Sequence, residues 1–404
     1  MNAQTLQYPV GSSDRSSRGE VPDRLRWVIV TGTYAVVGGV ADYTRQVATA
    51  LAAAGDEVTV CAPLDHCGHS NDHNVRLAGI RRQFGVLSLR NLDQVLTSVR
   101  ADRVLIQYVA QGFGWQGMNL PFCLWLFARR RRYRIWVMFH EVAVLMERRK
   151  SIRYNVFAIV THLMALLVAR SAERIFVSIP PWEPWLRPML SGPHPMTWLP
   201  VPSNIPVIWS PTECSRIRMC YASDGEMLIG HFATYGPSVA EPLMDAFSLV
   251  LRGAPNARVL LTGNNNEAFQ KQFASIHPDL AGRVWAAGPL SDTDLSYHLG
   301  ACDLMVQPYP DGISTRRTSA MACLSHGIPV VTTIGQLTEP LWKDSQAVLL
   351  SPVDDPEDLA RQTKWLLNDA AERSRLAAAG KALYENRFAL PHTIARLRVP
   401  KGVN

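Results

Sequence analysis

The chain has 404 residues, 47% of them hydrophobic and 19% charged, which excludes a disordered polypeptide and allows one to three globular domains, two being the natural expectation. A formal charge of +7 favours acidic partners such as nucleic acid, anionic lipid or phosphorylated substrates. Seven scattered cysteines without a CxxC pair argue for buried thiols in a reducing compartment, and against a disulfide frame or a zinc site.

Residues 1–24 are polar and rich in Ser and Arg, so a disordered tail without a signal peptide is expected. Arg26 to Thr31 is a continuous apolar run, the pattern of a buried parallel strand. Gly38-Gly39 follows, then helical periodicity over 41–54 and a second strand over 57–62. This is a strand–turn–helix–strand unit of Rossmann size without the GxGxxG fingerprint. The glycine pair is either a tight turn or a place where ligand meets bare backbone, and its position at a strand's carboxyl end favours the second. The polar loop 64–74 holds His66, His69 and His73, which read as solvated rather than as metal ligands. Arg103 to Tyr108 is another strand, and the loop 110–118, with Phe113 and Trp115, is placed as a cleft wall.

The segment 120–153 has the most unusual composition. Apolar residues 120–127 run into Arg129 to Arg132 and Arg134; a strand over 135–139 leads to His140-Glu141, then to Arg148 to Lys150 and Arg153. The apolar stretch Ile152 to Ala169 approaches spanning length, but Arg153, Asn155, Thr161 and His162 interrupt it, so it reads as an amphipathic or core helix. Arginines beside Leu120, Phe122 and Trp125 suggest an interfacial patch on anionic lipid; a solvated basic face is the plainer alternative.

Arg174 to Ser178 is a strand, and the Pro- and Trp-rich segment 180–211 ends in a linker near 198–206. Strands at 227–232, 258–262, 284–288, 304–307, 329–333 and 347–350 then alternate with helical stretches, the last at 355–368 and 370–388. Asp354-Asp355 before Pro356 reads as helix capping. The expected fold class is α/β, with two Rossmann-like doubly wound domains at 25–205 and 206–385 facing each other across a cleft, and a tail at 386–404 returning to the first.

Within the second series, Asp311-Gly312 is a turn dipeptide. Ser314 or Thr315 suits a helix N-cap, and Gly327 suits the C-cap before the next strand. A helix start flanked by Arg316 and Arg317 suits a phosphate-bearing ligand. An ordinary loop–helix–strand unit with solvated arginines fits this stretch equally well.

The order of these motifs resembles family 4 glycosyltransferases of the GT-B fold, over residues 26 to 390. The resemblance rests on Gly38-Gly39-Val40 and the following helix, Phe139-His140-Glu141, Val201 to Asn204, Ala301 to Pro308, and Met321 to Val331. It implies a second domain that holds a nucleotide sugar and a first domain, often membrane-attached, that holds the acceptor. It implies that Gly38 and Gly39 meet the donor diphosphate, that Gly230 to Gly236, including Thr234 and Tyr235, lie near the phosphates, and that Gly263 and Asn264 lie near the base. It places His140 near the transferred sugar, with Glu141 orienting it or taking the acceptor proton.

The family's two carboxylates fall here on Ser314 and Ala322, and its Arg and Lys after the second domain's first strand are replaced by Phe232 to Ser238. Arg316 and Arg317 are the substitutes for binding phosphate, with Asp311, Gly312, Ser314 and Thr315 around them. No acidic pair stands at a strand end, so no metal and no cofactor are expected, the nucleotide sugar being a substrate. The implied activity is hexosyl transfer to a membrane-associated lipid-linked or polysaccharide acceptor, retaining in outcome, in cell-surface glycan biosynthesis. The expected location is the cytoplasmic face of the cell membrane, and no nucleic-acid motif is found. Alternatives are a GT-B scaffold that has lost catalysis, an epimerase or a phosphorylase (only Lys343 is placed for a Schiff base, without context), and a non-catalytic protein using the basic patch.

Overall fold

The computed structural model describes residues 24–35, 38–66, 74–147, 149–192 and 194–399. Residues 1–23 of the expected N-terminal tail, residues 400–404 of the expected C-terminal one, His69, His73 and Arg148 lie outside them.

Two all-parallel sheets carry the chain. The first has seven strands: β1 (Arg26–Val30), β2 (Glu57–Pro63), β3 (Val75–Ile80), β4 (Arg103–Tyr108), β5 (Ile135–Phe139), β6 (Arg174–Val177) and β7 (Met196–Trp198). Their spatial order is β3-β2-β1-β4-β5-β6-β7. The second has six: β8 (Met227–Phe232), β9 (Ala257–Thr262), β10 (Val284–Ala286), β11 (Leu304–Gln307), β12 (Val330–Ile334) and β13 (Leu349–Pro352), in the order β10-β9-β8-β11-β12-β13. Helices cover both faces, which is why the strands are near-continuous apolar runs and not alternating ones. All five residues of β5 and all six of β4 are buried.

The helices that matter below are α1 (Gly39–Ala53), α2 (Ser88–Val99), α3 (Leu120–Arg129), α4 (Ile152–Ser171), α5 (Pro237–Gly253), α6 (Thr318–Ser325), α7 (Pro356–Asn368) and α8 (Leu390–Leu397). Asp355 caps α7, accepting from the Asp358 amide at 2.8 Å. Helix α8 packs on the first domain: Leu397 is buried in the core between the sheet and α1, and Arg103 donates to the Val399 carbonyl at 2.9 Å.

Each sheet reverses its strand order once, between β1 and β4 and between β8 and β11. Open α/β sheets bind ligands outside the carboxyl ends of the strands at such a switch point. Here Gly38 follows one, and Ala233 and Thr234 follow the other.

Two expectations are corrected. Phe122 is fully buried, stacked on Phe113 at 4.5 Å, so it is no part of a surface patch. Helices α3 and α4 also both leave the carboxyl edge of the sheet and return to its amino edge. Arg130 to Arg132, after α3, therefore lie at the opposite edge from Arg149, Lys150 and Arg153, and Arg129 is held by Asp93 at 2.6 Å. Helix α4 has 20 residues and a mean hydropathy of 1.7, enough by length and composition to cross a membrane. In this fold Met164, Ala165, Val168 and Ala169 bury one face of it in the core, and about a third of its apolar window is buried.

Candidate active site

A cavity of about 770 Å³ opens between the two sheets. Gly38, Gly39, Asp42 and Arg45 line it from the first domain, and Asn204 and Ile205 from the linker. The second domain contributes His231 at the end of β8 and Thr234 after it, Gly263 and Asn264 after β9, Tyr309 after β11, and Arg316 to Ser319 at the start of α6.

A Cβ built on Gly38 or Gly39 would meet nothing within 4 Å, so their bare backbone faces open space where a ligand can approach. Gly263 differs. Its φ of 96° and an imagined Cβ only 2.1 Å from the Ala233 carbonyl oxygen admit no side chain there.

Asp311 organises the two arginines. Its carboxylate accepts from Arg316 and Arg317 through its two oxygens. Arg316 also reaches across to Glu141 at 3.0 Å and lies over the Trp182 ring at 5.7 Å. Arg317 lies over the Tyr309 ring at 4.9 Å, and burial lowers its pKa from the ordinary value. Helix α6 begins only at Thr318, so both residues precede it, and both line the cavity. Each is paired with a carboxylate.

Ser314 and Thr315 do not begin the helix. Both are fully buried, and neither lines the cavity. The Thr315 hydroxyl sits 2.9 Å from the Ser178 carbonyl and 2.6 Å from Glu339 Oε1, and it accepts from Trp198 Nε1 at 3.1 Å. Its carbonyl accepts from the Val201 amide at 2.9 Å. These bonds hold the turn extended to Arg317, and they join the two domains. Glu339 completes the hub through the Thr315 amide at 2.9 Å and Trp342 Nε1 at 2.7 Å. Burial raises the Glu339 pKa against these bonds. Sequence reasoning passed over Glu339; its signal is its place before Pro340 at a helix start.

His140 is buried at the end of β5, with Nε2 on Gln107 Oε1 at 2.8 Å and its ring edge-on to Tyr43 at 5.0 Å. Burial pushes its pKa down to about 3, so it is neutral near pH 7. It does not line the cavity. Glu141 does not orient it, because that carboxylate is turned to Arg316. Tyr235 and Gly236 lie just behind the wall. Tyr235 has a left-handed φ of 50° and donates to the His231 carbonyl at 3.2 Å, and Gly236 is the N-cap of α5. Gly312 has a φ of 83° and packs on Gly335. His231, within the stretch Gly230 to Gly236 expected near the phosphates, is also in the wall.

Residues 228–369 match the family model of Glycosyl transferases group 1. No curated protein matches the chain in sequence. Among solved structures, the chain is similar to a sucrose-phosphate synthase from Thermosynechococcus elongatus, with 15% identity and a TM-score of 0.69 over 92% of this chain and 97% of that one. It is similar to WaaG, a glycosyltransferase involved in lipopolysaccharide biosynthesis, with 14% identity and a TM-score of 0.69 over 93% of this chain and 100% of that one. It is also similar to HepE of Anabaena, solved in complex with UDP and glucose, with 14% identity and a TM-score of 0.67 over 92% of this chain and 98% of that one. The fold is GT-B.

Proposed function

We propose that this GT-B chain, whose second domain matches glycosyl transferases group 1, is a nucleotide-sugar glycosyltransferase acting on a membrane-associated lipid-linked or polysaccharide acceptor. The observation that carries this reading is the cavity at both switch points, walled by bare glycine backbone on one side and by Arg316 and Arg317 on the other. The donor diphosphate lies against the arginines, which exchange Asp311 for phosphate oxygens and take up the charge that develops on the leaving nucleotide. Gly263 and Asn264 face the base. We assign Glu141, at the cleft end of β5, to the acceptor proton, and neutral His140, buried behind it and held by Gln107, to shaping the floor beneath the transferred sugar. The transferred sugar is a hexose, the outcome is retaining, and neither a metal nor a cofactor takes part.

Contact with the cytoplasmic face of the membrane, in cell-surface glycan synthesis, is the second part of the proposal. Along α4, Ile152 (84% exposed), Val156, Ile159 and Leu163 form an outward apolar stripe, continued by Leu145 and Met146. Exposed Arg149, Lys150 and Arg153 flank its cleft end. Apolar residues with adjacent cations suit anionic headgroups. That surface would bring a lipid-linked acceptor to the cleft edge.

The test is incubation with a panel of nucleotide sugars, with and without a lipid-linked acceptor, following nucleoside diphosphate release. Release from one donor, stimulated by acceptor, is expected. No binding and no release from any donor would leave a scaffold without catalysis.

A further inference from the structure

We propose that Trp115, in the loop between β4 and α3, is a stacking platform for a pyranose unit of the acceptor, so that the acceptor already carries sugar before the transfer; this deepens the glycosyltransferase reading above and rests on it. Trp115 is 47% exposed and lies outside the cavity between the domains. Its loop leaves the carboxyl end of β4, and the Gly112 carbonyl packs against Gly32, just after β1, so closely that no side chain fits there. The first sheet reverses its strand order between β1 and β4. The indole therefore stands at the same switch point as Gly38 and Gly39, on the side of the domain assigned to the acceptor.

The backbone under the indole is strained and firmly held. Gly114, Trp115, Gln116 and Gly117 have φ values of 78°, 54°, 53° and 81° in succession. Residues with a Cβ visit this left-handed region singly, because the side chain crowds the following carbonyl. The facing turn repeats the feature, with Gln83 at 45° and Phe84 at 59°. Fully buried Asn119 ties the two together. Its amide group donates to the carbonyls of Gln83, Phe84 and Phe113 at 3.3, 3.2 and 2.8 Å, and its Oδ1 caps α3 through the Phe122 amide at 3.1 Å. From α4, the Phe157 ring closes on Gly117, 3.1 Å from where a Cβ would stand. Strain of this kind persists only where the surroundings over-determine it, and it gathers at ligand clamps. Here it fixes the direction of a side chain that is half in water and contributes little to the core.

The neighbouring groups give the chemistry of the ligand. Gln83, Gln111 and Gln116 are all exposed in this pair of loops. The Gln83 side chain packs on Gly114, and Gln111 backs Gly117. Among the described residues, no hydrogen bond engages the three side-chain amides. Each amide offers a carbonyl acceptor and two N–H donors. A pyranose divides in the same way: its C–H face is apolar and fits flat on an aromatic ring, and its hydroxyls need donors and acceptors around the rim. The rival occupant is a bilayer, since Val86, Leu87 and Met118 are exposed in the same two loops. Three amides among those apolar groups argue against it, because in hydrocarbon each would lose its water and gain no partner.

Trp115→Ala removes the ring, and Trp115→Tyr keeps a smaller one. The full chain is screened on an array of immobilised neutral and acidic glycans. The strongest ligand is then titrated as a free oligosaccharide by calorimetry, with UDP, GDP and ADP titrated separately. For the Ala variant, oligosaccharide binding should weaken about tenfold or more, with nucleoside diphosphate binding and the thermal midpoint unchanged, and the Tyr variant should recover part of the loss. A parent that binds no glycan overturns the platform, as does a folded Ala variant that binds the oligosaccharide like the parent; with nucleotide binding intact, either result leaves the glycosyltransferase reading standing. A parent that binds glycan through Trp115 but no nucleoside diphosphate supports the platform and overturns the nucleotide-sugar reading. Co-sedimentation with phosphatidylcholine–phosphatidylglycerol vesicles tests the rival: vesicle binding that depends on Trp115, in a parent without glycan binding, makes the loop a membrane anchor and overturns the proposal.

Discussion

Thr315→Val isolates the junction between the domains. Valine keeps the shape of threonine and deletes one oxygen, the atom shared by Ser178, Trp198 and Glu339. Glu339 retains the Thr315 amide and the Trp342 indole, so it is not stranded. The Trp198 N–H and the Ser178 carbonyl lose this partner. One hydrogen bond to a charged acceptor is worth about 1.5–3 kcal/mol, and a buried donor left unpaired costs about 1–3 kcal/mol. Trp198 is only partly buried, so the loss should total about 3 kcal/mol, toward the lower end of the combined range. Thr315→Ser keeps the oxygen and should cost less than about 1 kcal/mol, by the loss of one methyl group. Guanidinium unfolding followed by fluorescence measures this, with calorimetric binding of a nucleoside diphosphate to the folded variants as the companion readout. Residual affinity should be unchanged, because Thr315 does not line the cavity. If Val unfolds like the parent and binds nucleotide more weakly, the hub is not what holds the domains together and Thr315 belongs to the donor site.

Arg316→Ala and Arg317→Ala should each weaken nucleoside diphosphate binding about ten- to a hundredfold, and Lys at either position should restore only part, since an ammonium lacks the planar fork; parent-like affinity of both Ala variants by calorimetry would remove the phosphate role. On the outer face, a variant neutralising Arg149, Lys150 and Arg153 should lose about 3 kcal/mol of attraction to anionic vesicles, at about 1 kcal/mol per cation, and fail to co-sediment with them. Unchanged sedimentation would rule out this face as the membrane contact.

Much of the architecture was legible because parallel strands covered on both faces announce themselves as apolar runs. Strands β4, β5, β8 and β11 begin and end where their runs do. Strand β3 was missed because it is an edge strand, with Arg76 and Gly79 among its six residues and four of them not buried. Helix α2 follows a turn in which Gln83 and Phe84 both take left-handed φ values, a conformation their residue types do not announce. At the site, sequence pattern found what is local: the glycine pair and the two adjacent arginines, both now in the cavity wall. It could not find what depends on distant chain. Thr315 looks like an N-cap in its own neighbourhood, but its oxygen is claimed by Ser178, 137 positions earlier, and by Glu339, 24 positions later. Those bonds outcompete capping, and the helix starts three residues on. The same displacement brings both arginines to Asp311 and the cavity. The departure from the local rule and the composition of the site therefore have one cause, a tertiary junction that sets where the helix begins.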